Sequence, residues 1–297
     1  MTDSTKIPTG LALYTKAAET ASNEVIRAYS TSFGMAVSLL GKEVRQPVRN
    51  IYALVRVADE IVDGAAEGAR QLGGKIEPGD ELTKLENEVY EAIANGFSSN
   101  IVVHAFALTA KQYGFGKDLV EPFFYSMRQD LKQSVHDEES FKRYVYGSAE
   151  VVGLMCLAVF IKHSSRAYSI EEKRTLVAGA RALGSAFQKV NFLRDLAADF
   201  KALGRSYFPG ITVESFSEAE KNRLVDDIES ELATARQTLS LLPKNSVRAV
   251  AAAELLFAEL NRRIERTPAN ELISHRISVP NFTKVALLIR AVLTGKG

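Results

Sequence analysis

The sequence predicts an all-α protein, and three observations carry that reading. Apolar residues recur at helical spacing through nearly the whole chain. Nowhere are alternating β-branched runs joined by Asn-Gly or Asp-Gly turns. The prolines fall near helix starts or in connections, where a fixed φ and a missing N–H do least harm. The first helical pattern covers 14–40, with a break near Ser30 to Ser32. The second runs over 45–64, with Pro47 near its start. After Pro78 come 81–95 and 100–113, then 118–134 with Pro122 near its start, then the long patterns 140–161 and 171–200. Pro209 lies in the connection to 217–241, and Pro243 separates that segment from 246–266. Pro268 and Pro280 lead into a last helix over 280–294.

The breaks are short, so one helical domain is expected over 11–297, behind a flexible tail at 1–10. With 46% hydrophobic and 25% charged residues in 297, the composition excludes disorder, collagen and small disulfide scaffolds. Thirty-seven Lys plus Arg against 36 Asp plus Glu leave a net charge of +1, which gives no global field for nucleic acid. Any anion must be bound locally. The single cysteine, Cys156, sits in the apolar run Gly153 to Phe160 and reads as core packing. The four histidines match no zinc spacing and read as structural or surface groups. No basic segment followed by an apolar one opens the chain, so a cytoplasmic setting is expected. The stretch Val279 to Leu293 carries Lys284 and Arg290 and falls short of the roughly twenty apolar residues of a spanning helix.

Two connections exceed simple turns: Ala65 to Asp80, rich in glycine, and Lys201 to Phe216, which contains Gly-Arg-Ser-Tyr-Phe-Pro from Gly204 to Pro209. Long connections in compact domains often form lids or binding segments. Each follows a helix with a polar stripe where an apolar one belongs. On a helix over 50–64, Ile51, Val55, Ala58 and Val62 form one apolar row and Leu54, Val57 and Ile61 another. Tyr52, Arg56, Asp59 and Asp63 align between them. The stretch 183–200 repeats the design, with Gln188, Asn191, Asp195 and Asp199 on one face.

Helices so apolar elsewhere should be buried, so their charged stripes are expected to face an interior cavity. Carboxylates one turn apart repel by a few tenths of a kcal/mol on an exposed helix and by more when desolvated. A cation should offset that. Magnesium suits the oxygen ligands and is commonly shared between carboxylates and a phosphate. Arg56 and Arg194 would then grip phosphate oxygens with their planar forks. One Asp-x-x-x-Asp alone is commonly a solvated face; two, each with an arginine in an apolar helix, point to a metal–diphosphate site.

The run Tyr-Ala-Leu-Val-Arg-Val-Ala-Asp-Glu-Ile-Val-Asp, the run Gln-x-x-Asn-x-x-Arg-Asp-x-x-x-Asp and the following Gly-Arg-Ser-Tyr-Phe-Pro together resemble the squalene/phytoene synthases, most closely the bacterial phytoene synthases. The likeness extends from about Tyr14 to Leu293. It implies the isoprenoid synthase fold, with two aspartate-rich helices facing each other across bound diphosphates. It implies that Asp59, Asp63, Asp195 and Asp199, with Asn191, hold a cluster of three magnesium ions, or manganese in their place. Arg56, Gln188, Asn191 and Arg194 match residues that contact diphosphate or metal. Tyr146 resembles the tyrosine before a mid-chain small-residue motif that Gly153 closes, and is expected at the reaction centre. Ser30 and Ser32 fall in a short segment near a diphosphate, and Arg205 and Tyr207 in a flap beside one.

Three positions depart from the pattern. Thr31 stands where many members have Lys, which removes an expected cation. Glu60 replaces the second Asp of a pair, and Glu150 replaces a small residue, where it could pair with a nearby arginine. The implied reaction joins two allylic diphosphates head to head through a cyclopropylcarbinyl diphosphate. Its product is phytoene from geranylgeranyl diphosphate, with no NADPH. The segment Gly34, Met35, Ala36 and Val37 lacks large aromatics after Phe33, which leaves room for a C20 tail. A C15 substrate giving dehydrosqualene or squalene is the alternative, and a non-catalytic assembly protein on the same fold is a further one. A hydrocarbon product implies peripheral contact with a membrane surface; the oligomeric state is not legible.

Overall fold

A computed structural model describes residues 9–132, 135–203, 207–212 and 215–294, without the side chains of Thr31, Ser32, residues 197–203 and Thr294. The expected tail at 1–10 lies outside these residues up to position 8. Among the described residues the chain is helical throughout, with no β-strand.

Ser30 divides the first pattern into α1 (Gly10–Tyr29) and α2 (Thr31–Ser38). Its backbone is extended, and its hydroxyl accepts the Phe33 N–H at 3.2 Å, the N-cap bond that satisfies an orphan donor of α2. Next comes α3 (Lys42–Asp63), which starts before Pro47 because Gly41 is seated against a distant loop: its N–H donates to Asn245 O at 2.7 Å. A side chain there would meet Asn245 Cβ at 2.8 Å.

The glycine-rich connection is shorter than its sequence predicts. Gly64 breaks α3, but Ala65–Gln71 re-forms as a short helix, α4, since Ala, Glu, Arg and Gln favour helix strongly enough to offset Gly68. Then follow α5 (Pro78–Asn95), α6 (Ile101–Tyr113) and α7 (Lys117–Lys132). Left-handed Gly96 and Gly114 end α5 and α6, at φ of 77° and 73°.

The pattern at 140–161 is not one regular helix. It consists of α8 (Glu138–Val145), a π turn over Tyr146–Glu150, and α9 (Val151–Lys162). Gly147 shows why: a Cβ there would lie 2.1 Å from Pro122 O on α7, so the chain bulges while lying against that helix. The composite helix is long and apolar enough to cross a membrane by length and composition, with a mean hydropathy of 1.8. Here it packs within the protein, against α3, α7 and the long α10 (Ile170–Leu203). Gly153 admits Ala180 O of α10, and Gly184 of α10 admits Ala149 O; added Cβ atoms would lie 2.6 and 2.7 Å away.

The remaining helices are α11 (Glu218–Thr238), α12 (Val247–Arg266), a short α13 (Ala269–Leu272) and α14 (Asn281–Thr294). The core has two large parts. One gathers α2, α3, α5, α6, α7 and α9 around Phe106, Phe123 and Phe124. The other gathers α8, α10, α11 and α12 around Phe192, Leu193, Phe208 and Ile228. The chain crosses between them at Val145 and Tyr146, the entry to the π turn. Both helices with polar stripes, α3 and α10, pack on α9.

Candidate active site

On α3 the polar stripe forms one connected group. Arg56 Nη1 donates to Asp59 Oδ2 at 2.6 Å, and Nη2 bonds Glu60. The guanidinium lies 4.3 Å from the ring centre of Tyr29, at the end of α1. Burial works against the Arg56 charge, but Asp59 and Glu60 outweigh it and hold its pKa above the ordinary value. Glu60, the departure noted above, thus reaches the same guanidinium as Asp59. The Nε of Arg56 is buried without a partner. One turn earlier, Tyr52 stacks on Phe33, ring centres 5.1 Å apart. Asp63, one turn later, is exposed.

On α10, Asp195 receives two guanidiniums. Arg194 Nε lies 3.1 Å from both carboxylate oxygens, and Arg276 Nε donates to Oδ1 at 2.6 Å. Asn191, one turn earlier, is half-buried with its Oδ1 sealed from solvent and unpartnered, a hard oxygen donor with its lone pairs unused. Gln188 is half-buried on the same face. Phe187, also one turn from Asn191, stacks on Phe257 of α12 at 3.7 Å. The side chains of Asp199 and Ser32, and all of Arg205, lie outside the described residues.

Tyr146 opens the π turn, half-buried, with the Arg181 guanidinium 5.2 Å from its ring centre. Arg181 in turn donates to Glu150 Oε2 at 2.6 Å, so Glu150 does have its arginine. Cys156 is partly buried against the first core cluster, and burial pushes its thiol pKa up to about 12, so the thiol stays protonated at neutral pH.

Tyr207, expected in a flap beside a diphosphate, is packed inward. It is 8% exposed, stacked on Phe192 at 4.0 Å, and its hydroxyl lies 3.3 Å from Asp130 Oδ1. Tyr144 donates to the same oxygen at 2.7 Å. The residue therefore anchors the chain just after Arg205 to α7 and α10.

The structure gathers Arg56, Asp59 and Glu60 into one group on α3, and Arg194, Asp195 and Arg276 into another around α10. Among the described residues, no three His, Cys, Asp or Glu side chains converge as a metal cluster. The donor chemistry nonetheless fits a magnesium–diphosphate group: carboxylate and amide oxygens, one of them the orphaned Asn191 Oδ1, beside guanidinium forks. The arginines place positive charge directly beside the carboxylates. Sequence reasoning missed Arg276 and Tyr29, which reach the site from the segment before α14 and from α1, and Arg181, which lies on α10 and meets Glu150 and Tyr146 across the helix packing. The histidines stay apart: His104 meets Thr15, His163 meets Tyr113, His275 meets Ser274, and His136 is packed among tyrosines.

The family model for squalene/phytoene synthase matches residues 26–283. A 15-cis-phytoene synthase of Pantoea ananas is 26% identical over 286 residues, covering 90% of this chain and 89% of the relative. Another, from Paracoccus sp., is 27% identical over 283 residues, covering 90% and 88%. Among solved structures, a dehydrosqualene synthase in complex with a ligand superposes with a TM-score of 0.75 at 19% identity, over 94% of this chain and 96% of that one. The last likeness establishes the isoprenoid synthase fold.

Proposed function

The chain belongs to the squalene/phytoene synthase family of prenyltransferases, and from that premise we propose that it condenses two geranylgeranyl diphosphates head to head to phytoene, without NADPH. The observation that supports this reading is the pair of polar groups, Arg56–Asp59 on α3 and Asn191–Asp195 on α10, each set one turn from a half-buried aromatic pair. The two relatives named as phytoene synthases support the C20 substrate. The fold's likeness to a dehydrosqualene synthase keeps a C15 substrate as the second reading.

Bound magnesium, or manganese, would supply Lewis-acid neutralisation of the departing diphosphate, held by Asp59, Asp63, Asn191, Asp195 and Asp199. Arg56, Arg194 and Gln188 orient the diphosphate oxygens. To do so, Arg56 and Arg194 exchange carboxylate for phosphate, keeping the same fork geometry. Ser30 accepts the Phe33 N–H through its hydroxyl oxygen and its side chain also bonds Tyr52, which sets the hydroxyl beside the α3 group, with Ser32 close to it in sequence. Tyr207 acts by fixing the segment that carries Arg205. The faces of Tyr52, Phe33, Phe187 and Phe257 stabilise an allylic cation and exclude the water that would quench it. Tyr146 lies at the joint between the two core clusters, where the reacting carbons would meet.

A hydrocarbon product has to leave into an apolar phase. Phe282, Val285, Ile289 and Leu293 form one exposed apolar face of α14, at 78%, 48%, 55% and 79% exposure. That face supports peripheral contact with a membrane surface, and Phe282→Asp should weaken cosedimentation with phospholipid vesicles; unchanged cosedimentation would count against it.

The test of the reaction is substitution in each of the two polar groups. Asp59→Ala and Asp195→Ala should each lower magnesium-dependent hydrocarbon formation by about 10²–10³-fold or more, with the far-UV circular dichroism retained. Full activity in both would sink the assignment.

A further inference from the structure

Behind Asp195 a separate cleft of about 450 Å³ opens between the end of α12 and the segment before α14. Its lining includes Arg262, Arg263, Arg266, Arg276, Glu259 and Ser278, leaving three positive charges in excess. Glu259 is 6% exposed, and its carboxylate is engaged twice over: Oε1 accepts from Arg263 Nε at 2.8 Å, and Oε2 accepts from Arg262. Burial opposes its charge, but the two arginines hold its pKa below the ordinary carboxylate value, so it stays ionised. The carboxylate thus fixes two guanidiniums at the cleft. Arg266 stands on the exposed rim and does not bond Glu259. Arg276 joins the cleft to the active site through its bond to Asp195.

Concave, arginine-rich and short of carboxylates, such a cleft fits a compact, multiply charged anion that planar forks can grip. A spanning lipid tail would find no apolar wall there, since Ile277 is its one large apolar lining residue. We propose that this cleft is a metal-independent seat for inorganic diphosphate, which the released anion occupies on its way out past Arg276. The proposal rests on the prenyltransferase reading, because that reaction frees diphosphate at Asp195. The diphosphate head of an incoming substrate shares the same chemistry, so the test must separate the two sources.

In buffer containing EDTA, calorimetric titration of inorganic diphosphate into the full-length protein should show a single saturable site. Arg266→Ala and Arg262→Gln should each weaken that binding at least fivefold, and in turnover assays both should relieve inhibition by added inorganic diphosphate to a similar degree. Arg262→Gln could disturb Glu259 and the fold; Arg266→Ala touches no such bond, and its thermal midpoint checks the point. Unchanged affinity in Arg266→Ala, or no metal-free binding in wild type, would overturn the cleft. Equal metal-free affinity for geranyl diphosphate, lost in the same variants, would assign the cleft to substrate and overturn its exit role. A protein that binds the anion in this way but makes no hydrocarbon would overturn the prenyltransferase reading and leave an anion site without its exit role.

Discussion

The guanidinium of Arg276 donates to the carboxylate of Asp195 at 2.6 Å although the two residues stand 81 positions apart. Asp195 is thereby held between Arg194 on its own helix and Arg276 from the segment before α14. A charge-assisted bond of this kind contributes about 1.5–3 kcal/mol when buried and less where, as here, the arginine is 65% exposed. Arg276→Ala should therefore raise KM for the prenyl diphosphate or lower turnover by about tenfold in total. Arg276→Lys should recover part of that loss, since it restores the charge but not the fork. Steady-state kinetics that do not change in the alanine variant would contradict a role for this contact.

Gly147 is the tightest of the close approaches. Its Cβ position lies 2.1 Å from Pro122 O and 2.2 Å from Ser126 Oγ, and the first of these is backbone that cannot swing away. Gly147→Ala should cost at least about 3 kcal/mol in urea denaturation, at the severe end for a point substitution, or leave the protein insoluble. Gly68→Ala is the matched control: nothing lies within 4 Å, and the site is helical, so about 0.5–1 kcal/mol of stabilisation is expected. A well-folded Gly147→Ala of wild-type stability would mean the π turn does not pack on α7 as described.

His136 gives stability a pH dependence of definite sign. It is 3% exposed, with the rings of Tyr144 and Tyr207 centred 5.0 and 6.1 Å away. Burial pushes its pKa below the ordinary value, and Asp137 opposes this only in part. Between the folded and unfolded pKa the unfolded chain binds the extra proton, so stability falls as pH drops below about 6.5. His104 is shifted the same way by burial and adds to the effect. The denaturation midpoint should be lower at pH 5.5 than at pH 7.5, with a smaller difference in His136→Gln. An identical difference in that variant would remove His136 from the account.

The sequence made the site's own helices legible and little of what meets them. Tyr52, Arg56, Asp59 and Asp63, like Gln188, Asn191 and Asp195, belong to single helices, so a period of 3.6 aligns them before any fold is known. The break near Ser30 to Ser32 was equally readable, because it interrupts the helical period within the chain's first pattern. The π turn was not: the period across 140–161 stays helical, and the bulge answers to Pro122 on another helix. Helix α4 was hidden by its flanking glycines. Arg276, Tyr29 and Arg181 reach the site through tertiary contacts, and Tyr207 turns inward to Asp130 through a buried bond that a loop sequence does not announce.

The central claim is tested most directly by incubating the purified protein with magnesium and geranylgeranyl or farnesyl diphosphate, with and without NADPH, and identifying the extracted product by mass. The account predicts phytoene from the C20 substrate, in equal yield with and without NADPH. A C30 hydrocarbon formed only from farnesyl diphosphate would contradict the substrate, and no hydrocarbon from either would contradict the reaction itself.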